Sequence, residues 1–221
     1  MTGFQIGVDE AGKGPVLGPM VAAAVRADAA DLPDGIADSK RLTPAKRESL
    51  ADTLRSTDGV DIGLGVVTVD EIDDPETDMN ALTVAAQVRA IAAVAEAGDE
   101  AIVDAGDVSE SRFGRRVTDG VASEGVDITV TAEHGADESH RLAAAASIIA
   151  KVERDSRMAA VGSEYTDCGP VGSGYPSDRT TREFLAAYVD RHGDLPDCAR
   201  RSWSTCEDVL AAAEQAALGD F

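Results

Sequence analysis

Gly7-Val8-Asp9-Glu10-Ala11-Gly12-Lys13-Gly14-Pro15 closes an apolar run with two adjacent carboxylates and a glycine-rich turn. Phe4 to Val8 has the character of a buried strand, which puts Asp9 and Glu10 at its carboxyl end, where open α/β sheets carry their chemistry. Gly12 and Gly14 let backbone N–H groups come close to a ligand, and Lys13 adds a charge suited to phosphate. Carboxylates beside such a cradle point to bound metal. Gly7 to Lys13 also fits the G-x-x-x-x-G-K nucleotide loop, but position 14 is glycine where that loop needs Ser or Thr. Pro15 follows, and the next segment reads as a turn and strand, not the helix that would hold phosphate.

Outward from this stretch, Met20 to Arg26 and Ile62 to Val69 read as two further strands, the latter alternating apolar residues with glycine. Between them Thr43 can cap a short helix that has Pro44 in its first position and Leu50 and Leu54 on its buried face. Met79 to Ala97 carries Leu82, Ala85, Val88, Ile91, Ala92 and Ala95 at helical spacing and stops at Gly98. Ala101 to Val103 is a short strand ending at Asp104, followed by a helix through Phe113 and Val117, and Asp127 to Thr131 is a further strand. The chain then passes His134, Gly135 and Asp137 into a long helix from about Ser139 to Ala160, and Asp137 lies near that helix's positive dipole end. A Gly/Pro loop, Gly169 to Asp178, precedes two helices at about Thr181 to Arg191 and Ser204 to Ala217. With no repeat and no dividing linker, one α/β domain over residues 1–221 is expected, including a C-terminal helical region at about 179–221.

Forty-one acidic against 20 basic residues give a net charge of −21. Such a surface normally repels nucleic acid. The acids are scattered, however, and lysine is reduced to positions 13, 40, 46 and 151, a pattern that fits a cytosol of molar salt, where the Debye length shrinks to about 3 Å. The charge therefore does not veto a polyanionic substrate. Three cysteines without C-x-x-C spacing fit a reducing compartment and no zinc site, and the absence of a long apolar run or an apolar leader fits a soluble cytoplasmic protein with no membrane contact.

Asp9, Glu10, Asp104 and Asp137 are the acids that stand at strand ends or a helix entry, and a pair of hard divalent cations needs such a cluster of oxygen ligands. For any other acid in so acidic a chain, solvation of the surface is the default reading, and Asp137 fits a plain helix-entry acid equally well. Ser39 with Lys40, and Ser147 with Lys151 four residues on, each offer a hydroxyl and an ammonium to a phosphate, or form ordinary surface pairs. Tyr175, in a rigid Gly/Pro loop, is set to stack on a sugar or base. Trp203, after Arg200 and Arg201, either anchors the last helix or touches a nucleic-acid strand. His134, His140 and His192 show no zinc or triad spacing; His134 is either a proton relay or a plain loop residue.

These features resemble the type 2 ribonucleases H (ribonuclease HII), the archaeal form in particular, over essentially the whole chain. The resemblance rests on Gly7 to Pro15, on Asp38-Ser39-Lys40, on Ala143-Ala144-Ala145-Ala146-Ser147-Ile148-Ile149-Ala150-Lys151-Val152-Glu153-Arg154-Asp155, and on Gly172-Ser173-Gly174-Tyr175-Pro176-Ser177-Asp178. It implies a ribonuclease H-like fold: a central mixed five-stranded sheet flanked by helices, with a C-terminal helical part. It also implies a monomeric endonuclease, dependent on Mg²⁺ or Mn²⁺, that cuts the RNA strand of RNA/DNA hybrids and cuts at ribonucleotides embedded in duplex DNA. Two-metal catalysis would leave 3′-hydroxyl and 5′-phosphate ends. By the same resemblance Asp9, Glu10, Asp104 and Asp137 are the metal-site acids. Tyr175 and the backbone of Gly12, Lys13 and Gly14 would examine the ribose 2′-OH, while Lys40, Ser147 and Lys151 hold the backbone and Asn80 meets a base or sugar edge. Type 2 enzymes usually have arginine at the position of Lys13, and lysine, common in type 3 enzymes, lacks the planar fork of donors.

Two other readings fit parts of the chain. Sugar- and acetate-kinase-like ATPases open on a similar acid-plus-glycine turn but need a longer two-domain build, and a non-catalytic nucleic-acid-binding module has little use for four converging acids. Gln215 to Phe221 ends in an apolar residue and resembles a sliding-clamp peptide too loosely for assignment.

Overall fold

A computed structural model describes residues 5–36 and 42–219, the last three as backbone only. The chain forms two compact units. The first comprises the described part of Met1–Ala11 together with Met20–Val67 and Asp78–Arg154; the second comprises Gly12–Pro19, Thr68–Thr77 and the described part of Asp155–Phe221.

The first unit is built on a five-stranded sheet of β1 (Gln5–Ala11), β2 (Met20–Ala27), β3 (Asp61–Val67), β4 (Glu100–Asp104) and β5 (Thr129–Glu133), in the order β3-β2-β1-β4-β5. β1 runs antiparallel to β2, and β2 to β3, whereas β1–β4 and β4–β5 are parallel. The sheet is therefore mixed, with β1 at its centre. Helices α1 (Pro44–Ser56), α3 (Met79–Ala92), α4 (Glu110–Ser123), the single turn α5 (Ala136–Ser139) and α6 (Arg141–Glu164) complete the unit, α6 continuing past Arg154 into the second. One apolar layer joins Ala11, Ala23, Val25 and Ala27 of β1 and β2 to Leu50 and Leu54 of α1 and to Ile148 and Ile149 of α6. On β1 this layer requires a glycine, because a Cβ at Gly7 would lie inside the Leu142–Ala143 backbone of α6.

In the second unit, α2 (Val69–Ile72), α7 (Arg179–His192) and α8 (Ser204–Gly219) stand with a core of Val16, Leu17, Met158, Phe184, Leu185, Val189 and Cys206. Three elements differ from the sequence expectation. β3 ends at Val67, not Val69, because Thr68 and Glu71 form a reciprocal cap that starts α2. α3 stops at Ala92, and the next segment turns so that Glu96 and Asp99 both reach Arg26 of β2, at 2.8 and 2.7 Å. Asp137 precedes the long helix, as expected, but sits within a separate turn, α5, that ends before α6 begins at Arg141.

Arg26 is a buried guanidinium shared by Asp99, which is equally buried, and by the exposed Glu96 and Asp61. The exposed partners contribute little, and the Asp99 contact carries the energetic weight. Replacing Arg26 by Met strands the Asp99 carboxylate inside the fold. A loss of about 3 kcal/mol is expected, seen as a fall in Tm of about 6–12 °C in a thermal melt at constant KCl.

Candidate active site

Successive residues on a strand face opposite sides of the sheet, so the adjacent acids of β1 cannot share surroundings. Asp9 lies on the face of Gly7 and Ala11, toward α6, where the Ser147 hydroxyl donates to its carboxylate. Glu10 lies on the face of α3, where its Oε2 accepts from Gln87 Nε2 at 2.8 Å. On the parallel neighbour β4, Val103 pairs with Val8. One residue further on, Asp104 therefore stands on the Asp9 face, at the end of its strand. Its Oδ1 accepts from the Ala136 N–H at 3.1 Å, which ties β4 to the turn α5 that carries Asp137. The four predicted acids thus converge on the carboxyl ends of β1, β4 and β5 within one unit.

Their electrostatics are those of crowded anions. Asp9 is 6% exposed and Asp137 is also buried. The Asp9 carboxyl is pushed up to about 6, first by burial, with the nearby Asp104 and Asp137 carboxylates adding to the shift. Hydrogen bonds from Ser147 and from the Glu10 N–H, 2.7 Å from Asp9 Oδ1, favour the ionised form and only partly offset this. An anion cluster that folding holds together against its own repulsion, with oxygen donors only, fits hard divalent cations. Ser147 is wholly buried and accepts from Lys151 Nζ at 2.7 Å, so this hydroxyl serves Asp9 and Lys151.

The second unit holds the glycine turn. Gly12 has φ +95°, a conformation other residues rarely adopt. Arg200, 0% exposed, donates to the carbonyls of Gly12 (2.6 Å), Lys13 (3.1 Å) and Gly18 (2.9 Å), and lies 5.0 Å from the ring centroid of Trp203. Arg200 and Trp203 are therefore scaffolding of the turn. The N–H groups of Val16 and Leu17 bond the Gly174 carbonyl at 2.7 and 3.2 Å, and a Cβ on Gly14 would stand 4.0 Å from the Tyr175 ring. The tyrosine loop is rigid: Asp178, held down at about 2 by hydrogen bonds from Ser173 and Thr180, links it to α7, and the Thr181 hydroxyl holds Gly174 N. Tyr175 itself is 42% exposed beside the turn.

Other predicted residues stand apart or outside. Ser39 and Lys40 fall outside the described residues. Asn80 is half-buried in the first turn of α3, its N–H taken by the Asp78 cap. His134 is held through one ring nitrogen by the Asp107 carbonyl at 2.8 Å and through the other by Glu110 at 3.0 Å. His192 does have partners that its spacing hides: Cys168 at 3.8 Å and Asp167 at 3.5 Å. Arg191 already occupies the same Asp167 oxygen at 3.4 Å, which makes this a surface ion-pair group. All three cysteines are free. Sequence reasoning missed Gln87 and the scaffold role of Arg200. The signal for Gln87 was a polar residue on the Thr83-Gln87-Ile91 row of an otherwise alanine- and valine-rich helix.

Residues 6–206 match the Ribonuclease HII family profile. The chain belongs to the ribonuclease HII family. It is 61% identical to the Ribonuclease HII of Haloarcula marismortui, over 99% of this chain and 100% of that one, and 58% identical to that of Halobacterium salinarum, over 98% and 99%. Both relatives come from halophiles, as the acidic composition leads one to expect. Among solved structures it resembles the ribonuclease H2 of Pyrococcus horikoshii, with a TM-score of 0.84, 36% identity, and coverage of 96% of this chain and 99% of that one. It also resembles the RNase HII of the PCNA:RNase HII complex from Archaeoglobus fulgidus, with a TM-score of 0.77, 34% identity, and coverage of 93% and 96%. The family is one of nucleases, so the chain is a hydrolase of phosphodiester bonds with a ribonuclease H-like fold. No helix among the described residues is long and apolar enough to cross a membrane.

Crowding at Asp9 has a consequence for the metal-free protein. Between the ordinary value of 3.8 and about 6, the folded chain keeps a proton that the unfolded chain has released, so this group's contribution to stability falls as pH rises through that window. In EDTA at pH 7, Asp9→Asn is expected to melt several degrees above the parent, and the difference should vanish below pH 3.8. Added Mg²⁺ should raise the parent's Tm and reverse the order.

Proposed function

We propose that this chain hydrolyses the RNA strand of RNA/DNA hybrids and cleaves at ribonucleotides embedded in duplex DNA, leaving 3′-hydroxyl and 5′-phosphate ends. The observation that carries the reading is the convergence of the buried Asp9 and Asp137 with the half-buried Asp104 in one mutually repelling group, with Glu10 beside it on the same strand end. These four acids would hold two divalent cations, Mg²⁺ or Mn²⁺, which when bound supply positive charge to the phosphate and to the leaving 3′ oxygen. Asp9, which interacts with both Asp104 and Asp137, would hold the cations together with them. Ser147 and Lys151 orient Asp9 from below, and Lys151 adds a cation for the nucleic-acid backbone, together with Ser39 and Lys40. Asn80, at a helix start, would meet a base or sugar edge.

Discrimination of RNA from DNA at a single nucleotide rests on the 2′-OH. The turn of Gly12, Lys13 and Gly14 supports that role because Arg200 fixes the Gly12 and Lys13 carbonyls, which holds the turn in one shape against which a sugar could be read. Tyr175 beside Gly14 supplies the ring on which the sugar would rest. Lys13 brings charge without arginine's fork, so backbone donors carry more of the recognition. Both compact units would act as one catalytic domain over residues 1–221, as a cytoplasmic monomer. A sliding clamp is a further proposed partner, since the Archaeoglobus fulgidus relative was solved with PCNA; Gln215–Phe221 is not assigned to that contact.

The test is cleavage, in molar KCl with Mg²⁺ or Mn²⁺, of a continuous RNA/DNA hybrid and of a DNA duplex containing one ribonucleotide. Cutting of both is expected, with both activities lost in Asp9→Asn. Cutting of the hybrid alone would withdraw the lone-ribonucleotide part, and cutting of neither would overturn the reading and turn attention to ATP. A second prediction separates the turn from the acids. Arg200→Lys keeps the charge but not the three-carbonyl grip, so cleavage at the lone ribonucleotide should fall at least about 10-fold further than hybrid cleavage. Equal losses on the two substrates would count against the turn as the 2′-OH sensor.

A further inference from the structure

Gln87 lies 0% exposed in the middle of α3, an unusual place for an amide. The helix sits hard against the sheet because β3 presents Gly63 and Gly65 beneath it; a Cβ on either would collide with the carbonyls of Ala90 or Ala86. That seat brings the Gln87 side chain to the end of β1. Its Nε2 donates to Glu10 Oε2 at 2.8 Å and to the Asp104 main-chain carbonyl at 3.0 Å, so both amide hydrogens are used. Chemistry fixes the orientation: the flipped amide would set its oxygen against a carboxylate and a carbonyl. The Oε1 atom that remains is buried and has no hydrogen-bond partner among the described residues.

An unpartnered buried acceptor lowers stability, and an apolar side chain of the same shape would avoid it. The chain nevertheless places glutamine here, and what the amide does is join the two acid-bearing strand ends. Resting on the two-cation reading above, we propose that Gln87 is a positioning residue of the metal site, holding Glu10 Oε2 so that the other carboxylate oxygen is presented to a cation. Groups that hydrogen-bond a metal-binding carboxylate set its orientation, and their loss typically weakens metal affinity by about 10- to 100-fold.

The experiment is titration of Mn²⁺ into the full chain without substrate, in molar KCl, followed by electron paramagnetic resonance or calorimetry, for the parent, Gln87→Met, Gln87→Leu and Asp9→Asn. Thermal melts of the same proteins in EDTA accompany it. Either apolar variant is expected to bind Mn²⁺ at least about 10-fold more weakly, also where loss of its two donated hydrogen bonds lowers the Tm. A merely structural role predicts a lower Tm with unchanged affinity, and that result overturns the proposal. If Gln87→Met fails to fold, Gln87→Leu decides; failure of both marks the residue as structural and overturns it equally. A parent that binds Mn²⁺ no better than Asp9→Asn sinks the two-cation reading itself, whereas a parent that binds and variants that match it sink only the role of Gln87.

Discussion

Like charges forced together at a buried strand end are the constraint on which the rest of this structure depends. Burial is the first cause that pushes the Asp9 carboxyl up to about 6, and the Asp104 and Asp137 carboxylates add to it. Folding must therefore hold these groups against both desolvation and mutual repulsion. It does so with ordinary means: the central position of β1 in the sheet, the parallel register with β4, the Ala136 N–H on Asp104, and the Ser147–Lys151 pair behind Asp9.

Strand parity divides the labour between the two adjacent acids. Asp9 belongs to the α6 side and Glu10 to the α3 side, so each is held by a different helix. Both helices reach the strand through residues without bulk. Gly7 admits the backbone of α6, while Gly63 and Gly65 admit α3. A glycine in a strand interior weakens it, and here the gain is close approach of a helix that carries a polar side chain to the site. Packing and chemistry are thus one problem at this end of the sheet.

The parts of the fold written in local sequence were readable. The Phe4–Val8 apolar run, the periodicity around Leu82 to Ile91, and the Thr43-Pro44 start all fall in elements of the expected type, although Phe4 itself lies outside the described residues. Asp9, Glu10 and Asp104 stand out in the sequence because each ends an apolar segment, and Asp137 only by its place before a long helix. What was not legible depends on contacts between residues far apart in the chain. The early end of α3 follows from Arg26 pulling Glu96 and Asp99, residues separated from it by 70 and 73 positions. Arg200 enters the sequence reading only as a neighbour of Trp203, and its reach of 188 positions to Gly12 shows it as scaffolding. Gln87 draws no reading from the sequence because a helix pattern does not reveal what lies at the end of the facing strand.

The acid-rich composition makes that use of arginine informative. A chain with 41 acids and 20 basic residues has little spare positive charge for a phosphate backbone. Among the described residues three arginines are nevertheless buried, and two of these show what they hold: Arg26 carboxylates and Arg200 carbonyls. Charge outside is screened within about 3 Å at molar salt, so a surface arginine would do little for long-range attraction. Inside, the same side chain keeps its full directional fork of donors, and that fork shapes the backbone of the glycine turn. Fixed N–H dipoles lose much less to added salt than free charges do, because their effect is exerted at hydrogen-bond distance. In such a medium, a backbone loop fixed by a buried guanidinium is a more durable source of directed polar groups than a guanidinium displayed on the surface.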